Sequence, residues 1–238
     1  MKHLYQKQKT RKLKFDLKRA LVKRKLKKHY GTSDFFDNIN LETSSKCNRK
    51  CSYCPNAQYD RGNLFMEDKT FYKIIDELKE LVYIGKICFA FFNEPFLDKR
   101  TPMFIAYAKD KLPKCEIGIF TNGDYGIPET KADRVIISNH NDINYKNTPL
   151  NNRCGLITPL NPDYYPRCKY EDFQVVINFE GKFIICCNDY FGVSSMGNVN
   201  NEKIIDIWNK PKYIKLRKDI DKNIFNLEIC KRCIGVIK

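Results

Sequence analysis

The sequence predicts an α/β protein: a parallel sheet built by alternating strands and helices, then a small hairpin-plus-helix module tied by cysteines. Two observations carry this. Short apolar runs alternate with amphipathic helical segments from about residue 38 to 138. After about residue 160 the rhythm changes to a hairpin signal, and cysteines recur at Cys168, Cys186, Cys187, Cys230 and Cys233.

The elements follow in order. Asn38–Ser44 reads as a strand feeding a cysteine loop. Residues 67–82 form an amphipathic helix, with Phe71, Ile74, Ile75, Leu78, Leu81 and Val82 on one face and Glu67 and Asp68 in the first turn. Lys86–Phe92 is a buried strand, residues 100–111 are helical, and Glu116–Phe120 and Arg134–Ser138 are further strands. Phe173–Asn178 and Lys182–Cys186 flank a turn at Glu180-Gly181. Helical sequence over residues 202–219 is divided by Pro211, because proline starts a helix but interrupts one. Residues 1–30 form a basic arm in which Leu13, Leu17, Ala20 and Leu21 recur at helical spacing; a solvated tail is the alternative.

Composition narrows the classes. The 238 residues suit one large domain, divided here as an arm over 1–30, a parallel-sheet body over 31–160 and a cysteine module over 161–238. The net charge is +15, yet residues 1–30 hold 13 Lys or Arg against the single acid Asp16, so the arm carries +12 and residues 31–238 only +3. A charged N-terminus without an apolar h-region predicts a cytoplasmic protein, and no apolar run reaches transmembrane length. Eleven cysteines in such a chain point to metal or cluster ligation rather than a disulfide scaffold.

The central motif is Cys47-x3-Cys51-x2-Cys54 directly after a strand. Three thiolates in one loop can hold three irons of a cubane and leave the fourth open to a ligand. Structural zinc takes four ligands, usually in two pairs, and fits an odd triplet poorly. With Tyr53 before its third cysteine, the triplet resembles the signature of the radical S-adenosylmethionine (SAM) superfamily. More motifs stand at fitting distances. Phe92-Asn93-Glu94-Pro95 ends the second strand and resembles the family's Gly-Gly-Glu-Pro segment. Thr121-Asn122-Gly123 ends the third strand and Ser138 the fourth.

The resemblance implies a partial, open parallel β/α barrel. Glu94, with Asn93, would bind the amino group of SAM. Thr121, Asn122 and Ser138 would face the ribose, and Tyr53 the adenine. The C-terminal cysteines, with Met196-Gly197-Asn198 and a helix containing Ile207-Trp208, resemble the short Twitch form of the SPASM-type extension. That extension carries an auxiliary 4Fe–4S cluster, here on Cys168, Cys186, Cys230 and Cys233, with Cys187 an alternative to Cys186. The same four cysteines could instead hold zinc. Cys88 and Cys115, in or beside strands, read as core residues.

Within the superfamily the pattern is nearest to short dehydrogenases that oxidise a cyclitol carbinol. The likeness spans residues 38–235 and includes Asn152-Arg153-Cys154-Gly155, where Arg153 is expected to face substrate. The implied chemistry is hydrogen abstraction by a 5′-deoxyadenosyl radical, with a flavodoxin- or ferredoxin-type reductant. Three other outcomes are open. Cys154 or Cys187 could donate hydrogen in an epimerase. SPASM-type relatives often modify peptides. A zinc-ribbon nucleic-acid binder is the remotest, since the charge lies outside the cysteine module. His140, after the fourth strand, is a lesser polar candidate. The arm suits an anionic surface or carrier.

Overall fold

The computed structural model describes residues 2–138, 152–157, 168 and 175–237, with side chains from Leu13 onward. His140 lies outside the described residues. The helix α1 spans Lys2–Tyr30, so the arm is one continuous 29-residue helix. The strands β1 (Asn38–Leu41), β2 (Lys86–Phe89), β3 (Glu116–Thr121) and β4 (Arg134–Ile137) alternate with the helices α2 (Asp68–Glu80) and α3 (Thr101–Lys111). Then come β5 (Val175–Ile177), β6 (Lys182–Ile184), β7 (Gly197–Asn198), α4 (Ile204–Trp208), α5 (Pro211–Asp221) and α6 (Glu228–Cys233). Pro211 opens α5, as its missing N–H allows.

The strands form one sheet in the order β4-β3-β2-β1-β5-β6-β7. The first five are parallel, and β6 and β7 return antiparallel. Edge strands β4 and β7 do not pair with each other, so the barrel stays open among the described residues. The hairpin β5–β6 is therefore not a detached appendage: Ile39, Asn40 and Leu41 of β1 sit in register with Val175, Val176 and Ile177. Its turn needs a left-handed residue, and Gly181 supplies it at φ 78°.

Strand alternation sorts the two faces. Ile39, Leu41, Ile87, Phe89, Ile117 and Ile119 are fully buried against α2 and α3, where Phe71 stacks on Phe104 at 4.1 Å. The opposite face carries Asn40, Cys88, Glu116, Gly118 and Ile136, and opens on a cavity. Cys88 is thus half-buried on the cavity wall rather than in the core, whereas Cys115 is buried as expected. The C-terminal helices seal the other flank. Trp208 packs on Phe36 at 5.3 Å and on Tyr213 at 5.2 Å, and its indole N–H donates to the Asp34 carbonyl at 3.1 Å.

Candidate active site

Beyond β1 the chain leaves the sheet and turns through the cysteine loop. The Cys54 N–H donates to the Cys51 carbonyl at 2.9 Å, and Pro55 starts a short 3-10 turn over Pro55–Ala57. The buried Asn56 fixes this loop. Its amide donates to the Phe92 carbonyl at 2.6 Å and accepts from the Tyr190 hydroxyl at 2.7 Å. Burial pushes the Cys47 and Cys54 thiols up; at Cys54 the nearby Arg153 charge pulls the other way. Such thiols stay protonated until a metal displaces the proton.

The Phe92–Pro95 segment lies against this loop, with the Glu94 N–H donating to the Lys46 carbonyl at 2.8 Å. The Glu94 carboxylate is buried and pinned. One oxygen accepts from the Thr121 hydroxyl at 2.7 Å and the Phe96 N–H at 3.1 Å, the other from the Asn122 N–H at 2.7 Å. Thr121 therefore orients the acid directly. Asn122 also donates to Asn48 at 2.8 Å, and Asp124 accepts from Asn48 at 2.8 Å and from both arms of Arg49. The third strand end and the cysteine loop are thereby joined.

A cavity of about 670 Å³ occupies the open barrel. Cys47, Cys51, Cys54, Tyr53, Asn93, Glu94, Thr121, Asn122, Ser138 and Arg153 all line it. The sequence thus singled out residues from five separate segments that meet at one place. The Asn93 amide is buried on this wall, and neither its oxygen nor its nitrogen has a hydrogen-bond partner among the described residues. An unmet donor and acceptor beside a fixed carboxylate and three thiols fit an amino-acid headgroup chelated to a cluster iron, which is how SAM would sit.

Below the cavity the backbone is strained. Arg153 at φ 47° and Cys154 at φ 57° are consecutive non-glycine residues in the left-handed region, followed by Gly155 at φ 86°. Such residues cost about 1–3 kcal/mol each and cluster at functional sites. The turn separates its side chains. Arg153 lines the cavity, stacks 5.7 Å from the Phe92 ring centre and donates to Asn188 Oδ1 at 2.6 Å. Asp189, by contrast, accepts from the Ser194 N–H and hydroxyl at 2.7 and 2.6 Å.

Cys154 turns the other way and shares its proton with Cys186 and Cys233, which raises its own pKa and lowers theirs. It is absent from the cavity lining, so a hydrogen-donor role at the substrate has no geometric support for Cys154. Cys187 does line the cavity, while the half-buried Cys186 lies among the other cysteines. Burial pushes Cys230 up to about 12, with the neighbouring cysteines Cys186, Cys168 and Cys233 adding to the rise. No three His, Cys, Asp or Glu side chains close on a single-ion site among the described residues.

The pair Arg61–Glu42 was not visible in the sequence. Glu42, just past β1, and Arg61 are both buried and joined at 2.6 and 3.0 Å. Arg61 also lies 4.4 Å from the Tyr190 ring centre and 5.5 Å from that of Phe179, while Glu42 accepts from the Phe92 N–H at 3.3 Å. Burial raises the Glu42 carboxyl pKa against the pull of Arg61. This pair braces the cysteine loop, the second strand end and the auxiliary module together.

Residues 41–137 match the radical SAM superfamily, and residues 168–234 match the SPASM iron–sulfur cluster-binding domain. The chain is an iron–sulfur enzyme of the radical SAM superfamily, with SAM and 4Fe–4S clusters as its cofactors and a SPASM-type extension. It is 26% identical over 234 residues to the S-adenosyl-L-methionine-dependent 2-deoxy-scyllo-inosamine dehydrogenase of Niallia circulans, covering 84% of this chain and 94% of that protein. Among solved structures, BtrN in complex with AdoMet and 2-DOIA superposes with a TM-score of 0.68 at 24% identity, over 84% of this chain and 93% of that one. Streptococcus suis SuiB bound to precursor peptide SuiA gives 0.58 at 13% identity, over 89% and 74%. Both structures share the fold.

Proposed function

We propose that this enzyme oxidises a carbinol carbon of a hydroxylated small molecule: a cyclitol, a sugar or a carrier-linked sugar. The observation that carries the reading is one cavity bounded above by Cys47, Cys51, Cys54 and Glu94, and below by Arg153 beside the auxiliary cysteines. With its clusters bound, SAM supplies a 5′-deoxyadenosyl radical that takes a hydrogen atom from substrate carbon, and the auxiliary cluster offers a sink for the remaining electron. Cys47, Cys51 and Cys54 would hold the first cluster. Cys168, Cys186, Cys230 and Cys233 would hold the second, Cys186 being preferred over Cys187 because it faces the other cysteines. Glu94 and Asn93 would bind the amino group of SAM. Tyr53, Thr121, Asn122 and Ser138 would wall the nucleoside.

The chain's own chemistry then falls to Arg153. Its guanidinium can fork onto a substrate hydroxyl and stabilise the oxyanion as the proton leaves. A guanidinium is a poor base, so Arg153 orients and stabilises rather than removing the proton itself. A flavodoxin or ferredoxin in the cytoplasm, where thiols stay reduced, would supply electrons. The basic helix α1 would contact an anionic surface or carrier. Deuterium placed at the reacting carbon should appear in 5′-deoxyadenosine, and Arg153→Lys should still cleave SAM yet turn over no polyol. A second reading, epimerisation, has one observation in its favour: the Cys187 thiol on the cavity wall. Recovery of an inverted product carrying solvent deuterium at the same carbon would establish it in place of oxidation.

A further inference from the structure

We infer that α1 is a membrane-surface helix that seats the enzyme on an anionic phospholipid bilayer. The inference deepens the reading of α1 as an anionic-surface contact and rests on it.

From Leu13 onward the helix has two apolar stripes. One is inward: Phe15, Val22, Leu26 and Tyr30 are half-buried, Leu26 and Tyr30 pack on the core, and the Tyr30 hydroxyl bonds Asp206. Lys114 holds the Phe15 ring at 3.5 Å. This stripe docks the helix on the body. The other points roughly the opposite way. Leu13, Leu17 and Leu21, spaced four residues apart, are 60%, 56% and 59% exposed. At about 1.5 Å rise per residue they form an apolar line about 12 Å long. Nothing among the described residues covers it.

The shoulders of this line are cationic. By the helical repeat, Arg24 and Lys28 continue the line towards the C-terminal end of the helix, Lys14, Lys18 and Lys25 flank it on one side, and Lys23 and Lys27 flank it on the other beside the single acid Asp16. None of these forms an ion pair among the described residues. Lys14–Lys18 and Lys23–Lys27 are like charges four residues apart, an arrangement that opposes helix formation. A partner must therefore satisfy leucines and unpaired cations together. A nucleic acid would neutralise the lysines but leave the leucines in water. A second copy would cover the leucines but bring two strongly basic helices together. An anionic bilayer interface takes both, with leucines among the acyl chains and lysines at the headgroups. No helix is long and apolar enough to cross a membrane among the described residues, so α1 would lie in the plane of the interface.

The test is vesicle flotation of the full-length, cluster-loaded enzyme. It should float with phosphatidylcholine vesicles containing about 30 mol % phosphatidylglycerol, at least tenfold more strongly than with pure phosphatidylcholine. Leu13→Ser, Leu17→Ser and Leu21→Ser together should cut that binding about tenfold, with iron content and uncoupled SAM cleavage unchanged. Equal flotation of wild type and the leucine variant would overturn the inference while sparing the anionic-contact reading. So would salt-sensitive binding to RNA or heparin without vesicle binding. A dimer dissolved by the leucine variant, without flotation, would also overturn it. No binding to vesicles, RNA or heparin at low salt would end both.

Discussion

The two groups of cysteine are assembled in opposite ways. Cys47, Cys51 and Cys54 lie within eight residues, and a single loop held by Asn56 and Glu94 brings them to the cavity. The auxiliary group gathers Cys168, Cys186, Cys230 and Cys233 from distant segments, with Cys154 added from a strained turn. The first group is brought together by its own short loop, which bonds from Asn56 and Glu94 then seat at the cavity. The second needs the hairpin β5–β6, α6 and the 152–157 turn to be docked; Asn152 anchors that turn by donating to the Arg232 carbonyl at 2.8 Å. Loss of a ligand should accordingly be a local event in one group and a tertiary event in the other.

The largest expected effect sharpens this contrast. Replacing Cys47, Cys51 and Cys54 with Ala should abolish SAM cleavage and leave about four of about eight irons, with thermal stability close to wild type. Cys186→Ala and Cys233→Ala together should lose the auxiliary irons and lower the melting temperature as well. Equal stability in the two variants would break the comparison.

Next in size is the brace between the regions. Arg61→Met strands the buried Glu42 carboxylate, and removing one member of a buried pair costs about 3–5 kcal/mol. Anaerobic denaturant unfolding reads it, and the double variant Arg61→Met with Glu42→Leu should recover much of the loss. An unchanged midpoint for the single variant would mean that the regions are not joined through this pair.

Glu94→Gln should weaken SAM binding by about ten- to a hundredfold, as loss of a charge-assisted contact of about 1.5–3 kcal/mol predicts. Equilibrium binding of SAM to the reconstituted enzyme measures it. The carboxylate also holds Thr121 and the Asn122 N–H, so unchanged affinity would leave Glu94 a purely structural clamp.

The smallest effect concerns Cys154. Cys154→Ala should keep the auxiliary irons and alter only the spectrum and potential of that cluster, since a thiol beside ligating sulfurs tunes rather than binds. Should Cys154→Ala strip the irons while Cys168→Ala spares them, Cys154 is the fourth ligand.

How much of this the sequence determined follows the same divide. The parallel sheet, the cysteine triplet, Glu94 after β2 and Thr121 at the end of β3 were legible because each rests on short-range pattern: strand alternation, loop spacing, a motif at a strand end. The basic helix was legible in charge, but its two opposed apolar stripes were not separable until burial distinguished Phe15, Val22, Leu26 and Tyr30 from Leu13, Leu17 and Leu21. Only the tertiary structure placed Arg61 on Glu42, Asn188 on Arg153, Cys88 on the cavity wall and Cys154 against Cys186 and Cys233. These are pairings between segments far apart in the chain. No local propensity encodes them, because they are set by which faces of the sheet and its extension meet once the core has packed.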